Sequence, residues 1–184
     1  MPLAIRAAIE RDVHAISRLD ATYQAGRRVL ALSRSGESPE VTLTFAWREG
    51  TPREETYGEY TEDRLRRALA KTDLFLIAEE DGAICGMLMV IVPSWTDAGE
   101  ITDLVVDRRC RRGGAGRALV EAAVSWAKER SLRALWVEPR ADNSEAIDFY
   151  GALGFRLSGF NDRMYANTDG APGRPTIYMY LELA

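Results

Sequence analysis

The run Asp107-Arg108-Arg109-Cys110-Arg111-Arg112-Gly113-Gly114-Ala115-Gly116-Arg117-Ala118-Leu119 holds the residues best suited to chemistry in this chain. An apolar, strand-like segment, Ile101 to Val106, precedes it, and a helix-like one, Ala115 to Glu129, follows. A basic, glycine-rich turn between strand and helix lines up backbone N–H groups at the positive end of a helix dipole, where a phosphate can sit. Glycine allows the close backbone approach and positive φ that such a cradle needs. Arg111 and Arg112 add charge to it. The pattern predicts a bound phosphorylated cofactor.

The elements that must hold this turn follow from periodicity. Leu3 to Ala8 alternates as a first strand, and Asp12 caps, or lies in the first turn of, a helix with Val13, Ile16 and Leu19 on one face. Leu65 to Leu69 belongs to a second helix. Leu74 to Ala78 reads as a strand, Glu80-Asp81-Gly82 as a hairpin turn, Ile84 to Val92 as its return strand and Glu100 to Val106 as the next. The helix after the glycine turn carries Leu119, Ala122, Ala123 and Trp126. Ala134 to Val137 is a further strand, and Ser144 to Leu153 a short helix capped by Asp142, Asn143 or Ser144. Phe155 to Leu157 and Thr176 to Leu183 close the sheet, with a Gly/Pro-rich loop near 168–175. Antiparallel strands followed by a strand–helix–strand–helix–strand unit predict one α/β domain over residues 1–184, a mixed, mostly antiparallel sheet of six to seven strands with helices on both faces.

Residues 32 to 63 resist this reading. Ser33 to Pro39 and Gly50-Thr51-Pro52 are loop-like. From Glu40 to Asp63 there are seven acidic residues and two arginines, a local net charge of −5, with Trp47, Tyr57 and Tyr60 interleaved. Two expectations stand: a solvated, mobile excursion, or an acidic, aromatic lip that attracts a cationic substrate.

The bulk numbers narrow the function. A length of 184 residues suits one domain with its own core. A net charge of −4 argues against general nucleic-acid binding, so the arginine cluster is a local site. Cys85, Cys110 and the single His14 form no metal-ligand pattern, and no metal is expected. Two unpatterned cysteines fit a reduced, cytoplasmic protein. No signal-peptide core or membrane-spanning apolar run is visible, and no membrane partner is expected.

Three kinds of glycine turn compete for the phosphate. A nucleoside-triphosphate P-loop needs GxxxxGKS or GxxxxGKT, and the only Lys-Thr pair, Lys71-Thr72, has no glycines ahead of it. A dinucleotide fold wants GxGxxG after an early strand, whereas here Gly114-Ala115-Gly116 is followed by Arg117-Ala118-Leu119 and comes late in the chain. The third kind fits: Arg111-Arg112-Gly113-Gly114-Ala115-Gly116 matches Arg/Gln-x-x-Gly-x-Gly/Ala. The chain therefore resembles the GNAT N-acetyltransferases, in which this turn holds the pyrophosphate of acetyl-CoA. Asn143-Ser144-Glu145-Ala146-Ile147-Asp148-Phe149-Tyr150-Gly151-Ala152-Leu153-Gly154-Phe155 resembles the second motif, N-x-x-A-x-x-F-Y-x-x-x-G-F, and starts 27 residues after Gly116. The opening Ile5-Arg6-Ala7-Ala8 with Asp12, Ile16 and Leu19 is also typical of that family. The end of the chain, from Gly154 to Phe160, with Tyr165 and Tyr178 to Leu183, loosely resembles the streptothricin acetyltransferase branch. That branch carries Glu-Asp where this chain has Thr102-Asp103.

The resemblance implies a GNAT fold, acetyl-CoA as cosubstrate and a set of roles. Backbone N–H groups among Arg112, Gly113, Gly114, Ala115, Gly116 and Arg117 face the pyrophosphate, with Arg111 beside them. The backbone of Leu104, Val105 and Val106 pairs with the pantetheine arm like an added strand. Asn143 contacts the cofactor, or simply caps its helix. Tyr150 protonates the departing thiolate, or is a core tyrosine. The acceptor is a primary amine, which is mostly protonated at neutral pH and needs a base before it can attack. Strand parity places Glu100 and Asp103 on opposite faces. Glu100, eleven residues before Arg111, stands in the register of the family's glutamate base, with Asp103 as the second candidate. A strand N–H near Val105 or Val106 would hold the oxyanion. The implied acceptor is a cationic small molecule, such as an aminoglycoside-like or streptothricin-like antibiotic or a polyamine. A protein or peptide amine, and a non-catalytic acetyl-CoA-binding module, are the alternatives. Pairing through the last strands implies a homodimer.

Overall fold

Alternating apolar strands joined by tight turns set the architecture. The computed structural model describes residues 3–37, 40–163 and 175–183. Tyr165 and the expected loop up to residue 174 lie outside them. The strands are β1 (Ala4–Ala7), β2 (Thr22–Ala25), β3 (Arg28–Ser35), β4 (Thr42–Glu49), β5 (Arg53–Thr56), β6 (Leu74–Glu80), β7 (Ala83–Ile91), β8 (Ala98–Val106), β9 (Ala134–Val137), β10 (Arg156–Asn161) and β11 (Thr176–Glu182). The helices are α1 (Val13–Ile16), α2 (Glu62–Lys71), α3 (Ala115–Glu129) and α4 (Ser144–Ala152). The large mixed sheet has seven strands in the hydrogen-bonded order β1-β6-β7-β8-β9-β11-β10, and β2-β5 and β3-β4 form separate two-stranded ribbons. Among the described residues no helix is long and apolar enough to cross a membrane.

The chain divides into two units: residues 1–23, 56–137 and 180–184, and residues 24–55 and 138–179. In the first unit β1, β6, β7 and β8 pair antiparallel, and β8 pairs parallel with β9. Asp81 and Gly82, with φ of 51° and 79°, make the β6–β7 turn, the left-handed pair that matches strand twist. Side chains on odd positions of β6 and β7 (Phe75, Ile77, Met87, Met89) join Val13, Ile16 and Leu65 in one buried cluster. The opposite face meets α3: a Cβ on Gly86 would sit 3.3 Å from the Leu119 side chain. Helices thus cover both faces of this part of the sheet, as the unbroken runs of buried residues 75–78 and 85–90 require.

The first helix is shorter than its periodicity suggests. A 3-10 turn, Glu10–Asp12, leads into only four α-helical residues, and Leu19 packs on the same core from beyond the helix end. Asp12 makes no side-chain cap bond to α1. Its carboxylate instead takes two Arg6 hydrogen bonds, at 2.7 and 2.9 Å, and the Ile9 N–H at 2.9 Å. That bidentate ion pair holds the Asp12 carboxyl below the usual range.

In the second unit β3 and β4 form a regular hairpin, from Arg28 opposite Glu49 to Ser35 opposite Thr42. The expected excursion is therefore two strands for much of its length, with Gly50-Thr51-Pro52 as the turn into β5. Thr42 to Trp47 does alternate, with Leu43, Phe45 and Trp47 on one side, but the stripe is short, lies between loop-like segments, and covers no core: seven of the eight β4 residues are exposed. The expected acidic lip is also reduced. Glu55 pairs with Arg53 and Arg140 in the second unit, while Glu62 pairs with His14 and Arg66 in the first. Tyr60 is buried, whereas Trp47 is exposed and lies under the Arg28 guanidinium.

Candidate active site

Strand β8 carries both candidate bases, and its register corrects the parity argument. Met89 pairs with Asp103 and Val90 with Ile101, so Thr102 is an extra residue in a β-bulge. Partners across a ladder share a face. Asp103 therefore lies with Met89, while Glu100, opposite Ile91, lies on that same face because residues 89 and 91 are two apart on β7. Gly99 confirms the shift: its added Cβ would meet Val90 at 3.0 Å and Leu135 at 2.9 Å, on the other face. Glu100 and Asp103 thus point the same way, not opposite ways. One inserted residue undid the count.

Asp103 is buried and its Oδ1 accepts from the Tyr60 hydroxyl at 2.8 Å and from Arg64 Nη2 at 3.1 Å. The Arg64 guanidinium also lies 4.7 Å from the Tyr60 ring centroid. Burial, then the neighbouring Asp103 charge, push the Tyr60 hydroxyl well above its ordinary pKa, so it stays a donor. Tyr57 donates to the carbonyl of the bulged Thr102 at 3.2 Å. Sequence reasoning missed these supports. Tyr57 and Tyr60 were visible only as aromatics in an acidic stretch, and nothing in the order of residues ties Arg64 to Asp103, 39 positions away.

The edge of β8 that faces β9 is paired only from Ala98 to Glu100, against Ala134 to Trp136. β9 itself ends one residue beyond this ladder, at Val137. Leu104, Val105 and Val106 pair on their other edge with Leu88, Met87 and Gly86. Among the described residues no strand pairs with the β9-facing edge of Leu104 to Val106.

The glycine turn follows directly. Asp107 is 1% exposed and caps a 3-10 turn, Arg108–Cys110. Its carboxylate accepts the Arg109 N–H and Nε, both at 3.0 Å, and the Asp20 N–H at 3.2 Å, bonds that hold it below the usual carboxylate range. Arg111 Nε donates to the Val106 carbonyl at 3.1 Å and Nη2 to the Asp20 carbonyl at 3.4 Å. Arg111 therefore anchors the base of the turn to β8 as well as bringing charge. Arg112 has φ 66° and Gly114 φ 92°. A non-glycine residue in the left-handed region costs energy that surrounding contacts must offset. Gly114 is the N-cap of the fifteen-residue α3 and has no side chain with which to cap it. Ala115, Gly116 and Arg117 thus form an uncapped first turn at the positive end of a long helix.

Asn143 and Tyr150 belong to the second unit. The Asn143 Oδ1 accepts the Ala146 N–H at 3.1 Å, so this side chain is the N-cap of α4. Tyr150 is buried, its ring 5.3 Å from that of Phe155 and 5.2 Å from that of Phe149. Before α4, Arg140 donates to both oxygens of Asp142, at 3.0 and 2.7 Å, and to Glu55, while Arg53 bonds Glu55 and Asp142. Among the described residues no group of three or more His, Cys, Asp or Glu is placed to hold a metal.

The glycine turn and the motif on α4 are the two stretches whose residues resemble one family. Residues 40–155 match the Acetyltransferase (GNAT) family. The chain belongs to it. Streptothricin acetyltransferase of Streptomyces lavendulae is 30% identical over 122 residues, which is 66% of this chain and 64% of that one. The ribosomal protein bS18-alanine N-acetyltransferase of Escherichia coli K12 is 36% identical over 74 residues, 40% of this chain and 50% of that one. The matches thus span 64% and half of the lengths of these two relatives. A protein from Bacillus anthracis str. Ames, crystallised in complex with acetyl coenzyme A, shares the GNAT fold with a TM-score of 0.82 at 24% identity, over 98% of this chain and 99% of that one.

Proposed function

We propose that this GNAT chain is an N-acetyltransferase that moves an acetyl group from acetyl-CoA to a primary amine by direct attack in a ternary complex. The carrying observation is the β8 edge that no described strand pairs with beyond Glu100, next to an uncapped helix turn. An unpaired strand edge suits an extended amide-bearing arm, and the helix N-terminus suits the diphosphate at its end. Amides of residues 112–117 would grip that diphosphate, and the backbone of Leu104 to Val106 would pair with the pantetheine arm. Glu100 takes the ammonium proton. Asp103, whose Oδ1 accepts from Tyr60 and Arg64, is the second candidate. The neutral amine then attacks the thioester carbonyl, a strand N–H near Val105 or Val106 holds the oxyanion, and the C–S bond breaks. On its sequence motif, Tyr150 supplies the proton to the departing sulfur, and Asn143 caps the helix that carries it.

The acceptor in this reading is a cationic small molecule of the streptothricin, aminoglycoside or polyamine type, and the protein works in the cytoplasm as a homodimer. The relative named for ribosomal protein bS18 favours a second reading, a peptide N-terminal amine. Calorimetry with acetyl-CoA, followed by a thiol-release screen over streptothricin, aminoglycosides, polyamines, amino acids and short peptides, tests both. Binding without turnover on any amine would leave a non-catalytic acetyl-CoA module.

Two variants sharpen the test. Gly114→Val puts a β-branched side chain at φ 92°. It is expected to weaken acetyl-CoA binding about tenfold or more, since strain of roughly 1–2 kcal/mol reshapes the cradle. An unchanged Kd would remove the turn from the binding site. Tyr150→Phe keeps the packing against Phe155 and deletes only the hydroxyl. Turnover should fall about 10²-fold, the low end for general acid catalysis, because a thiol of pKa about 8.5 already leaves fairly well. Full activity would make Tyr150 a packing residue only.

A further inference from the structure

The two cysteines of the chain have no part in acetyl transfer, yet they adjoin at the foot of the proposed cofactor turn. Cys85 is on β7 and buried, whereas Cys110 ends the 3-10 turn and is half-buried. Asp107 links them through the backbone. Its N–H donates to the Cys85 carbonyl at 2.9 Å, and its carbonyl accepts the Cys110 N–H at 2.8 Å. The two cysteines thus flank a single residue, Asp107, and the Cys110 thiol adds to the upward push on the Cys85 pKa. From Cys110 the chain runs straight into Arg111 and Arg112, and the Cys110 carbonyl accepts the Gly113 N–H at 3.4 Å. Cys110 is therefore the joint between the strand-anchored 3-10 turn and the glycine cradle.

We propose that Cys85 and Cys110 form a reversible disulfide that weakens acetyl-CoA binding at residues 112–117. The bond itself is independent of the proposed function, while its consequence rests on that reading. The oxidant is a hydroperoxide. Cys110, the more accessible thiol, attacks one peroxide oxygen, and the O–O bond breaks. Cys110 becomes a sulfenic acid, and with hydrogen peroxide the other oxygen leaves as water. The Cys85 sulfur then attacks the sulfenic sulfur; the S–S bond forms, the S–O bond breaks, and the hydroxyl leaves as water with the Cys85 proton. Two thiols lose two electrons and two protons, and one peroxide becomes two waters. Burial, with the Cys110 thiol adding to it, pushes Cys85 up to about 11, which suits a resolving partner rather than the first target.

The effect on the cradle follows from length. Disulfide sulfurs are about 2.05 Å apart, closer than any two unbonded sulfurs can come. Closing the bond draws Cys110 toward β7 and pulls the start of a turn whose Arg112 and Gly114 already hold positive φ.

Treating the full chain with hydrogen peroxide should lower its intact mass by about 2 Da and abolish maleimide labelling, both reversed by dithiothreitol. Cys85→Ala and Cys110→Ala should each abolish the mass loss. Oxidised protein should bind acetyl-CoA about tenfold more weakly by calorimetry, and saturating acetyl-CoA should slow the oxidation in return, as linkage requires. Gain of oxygen atoms with no disulfide overturns the proposal, as does a disulfide that leaves the Kd unchanged. If reduced protein fails to bind acetyl-CoA, the function reading falls and the switch with it, while the mass change still reports the bond separately.

Discussion

Glu100→Gln is expected to lower kcat by about 10²- to 10⁴-fold while leaving the Kd for acetyl-CoA unchanged. Glutamine keeps the length of the side chain and an acceptor oxygen, so the strand and the bulge beside it are preserved. What it loses is the capacity to take a proton. An acceptor amine of pKa about 10.4 is mostly ammonium at neutral pH, and without a base only its small neutral fraction reacts. The loss should therefore shrink as the assay pH rises toward the amine pKa, a trend that simple misfolding would not produce. Thiol release measured between neutral and alkaline pH, with calorimetry on the same sample, checks both halves. A variant that turns over like the wild type would transfer the role to another group, and Asp103→Asn would then be the comparison to make.

Arg140→Leu is expected to cost about 3 kcal/mol of stability in the second unit. Arg140 bonds Asp142 through two nitrogens and Glu55 through a third, and these three side chains are 19%, 9% and 18% exposed. Removing the guanidinium takes three hydrogen bonds from the two carboxylates. The pH dependence has a definite sign. Burial works to raise the Glu55 pKa, but hydrogen bonds from Arg140 and Arg53 outweigh it and hold the carboxyl down at about 2, against an ordinary 4.5. A depressed carboxyl stabilises the folded state fully above its unfolded pKa and loses that contribution as pH falls from about 4.5 toward 2. The gap between wild type and variant should thus be widest near neutral pH and shrink by roughly half at pH 3. Urea denaturation at the two pH values measures it. A denaturation midpoint for Arg140→Leu that matches wild type at neutral pH would mean that the network is a surface cluster of little worth.

Sequence and structure agree most closely where local signals reinforce one another. Helix α3 begins at Ala115 and ends at Glu129, and β9 runs from Ala134 to Val137, as periodicity and the preceding glycines indicate. The Asp81-Gly82 turn was legible because its dipeptide carries its own backbone preference. The β3–β4 hairpin was not, since its short alternating stretch, Thr42 to Trp47, lies between the loop-like segments Ser33 to Pro39 and Gly50-Thr51-Pro52. The bulge at Thr102 was invisible for a different reason. It is a property of two strands together, defined by the offset between Met89–Asp103 and Val90–Ile101, and neither strand alone records it. The glycine turn could be located from residues 111–117, but not the anchoring of Arg111 to the carbonyls of Val106 and Asp20, which are brought to it only by the fold.

A strand edge without a neighbour carries a cost. The amides along Leu104 to Val106 are a template that any extended polypeptide can copy, and proteins usually shield such rims with charge, proline or a covering segment. On the proposed function, the shield here is a diffusible small molecule. The solution behaviour of the purified chain should accordingly track its cosubstrate, with material stripped of nucleotide thioesters self-associating more readily than material kept saturated.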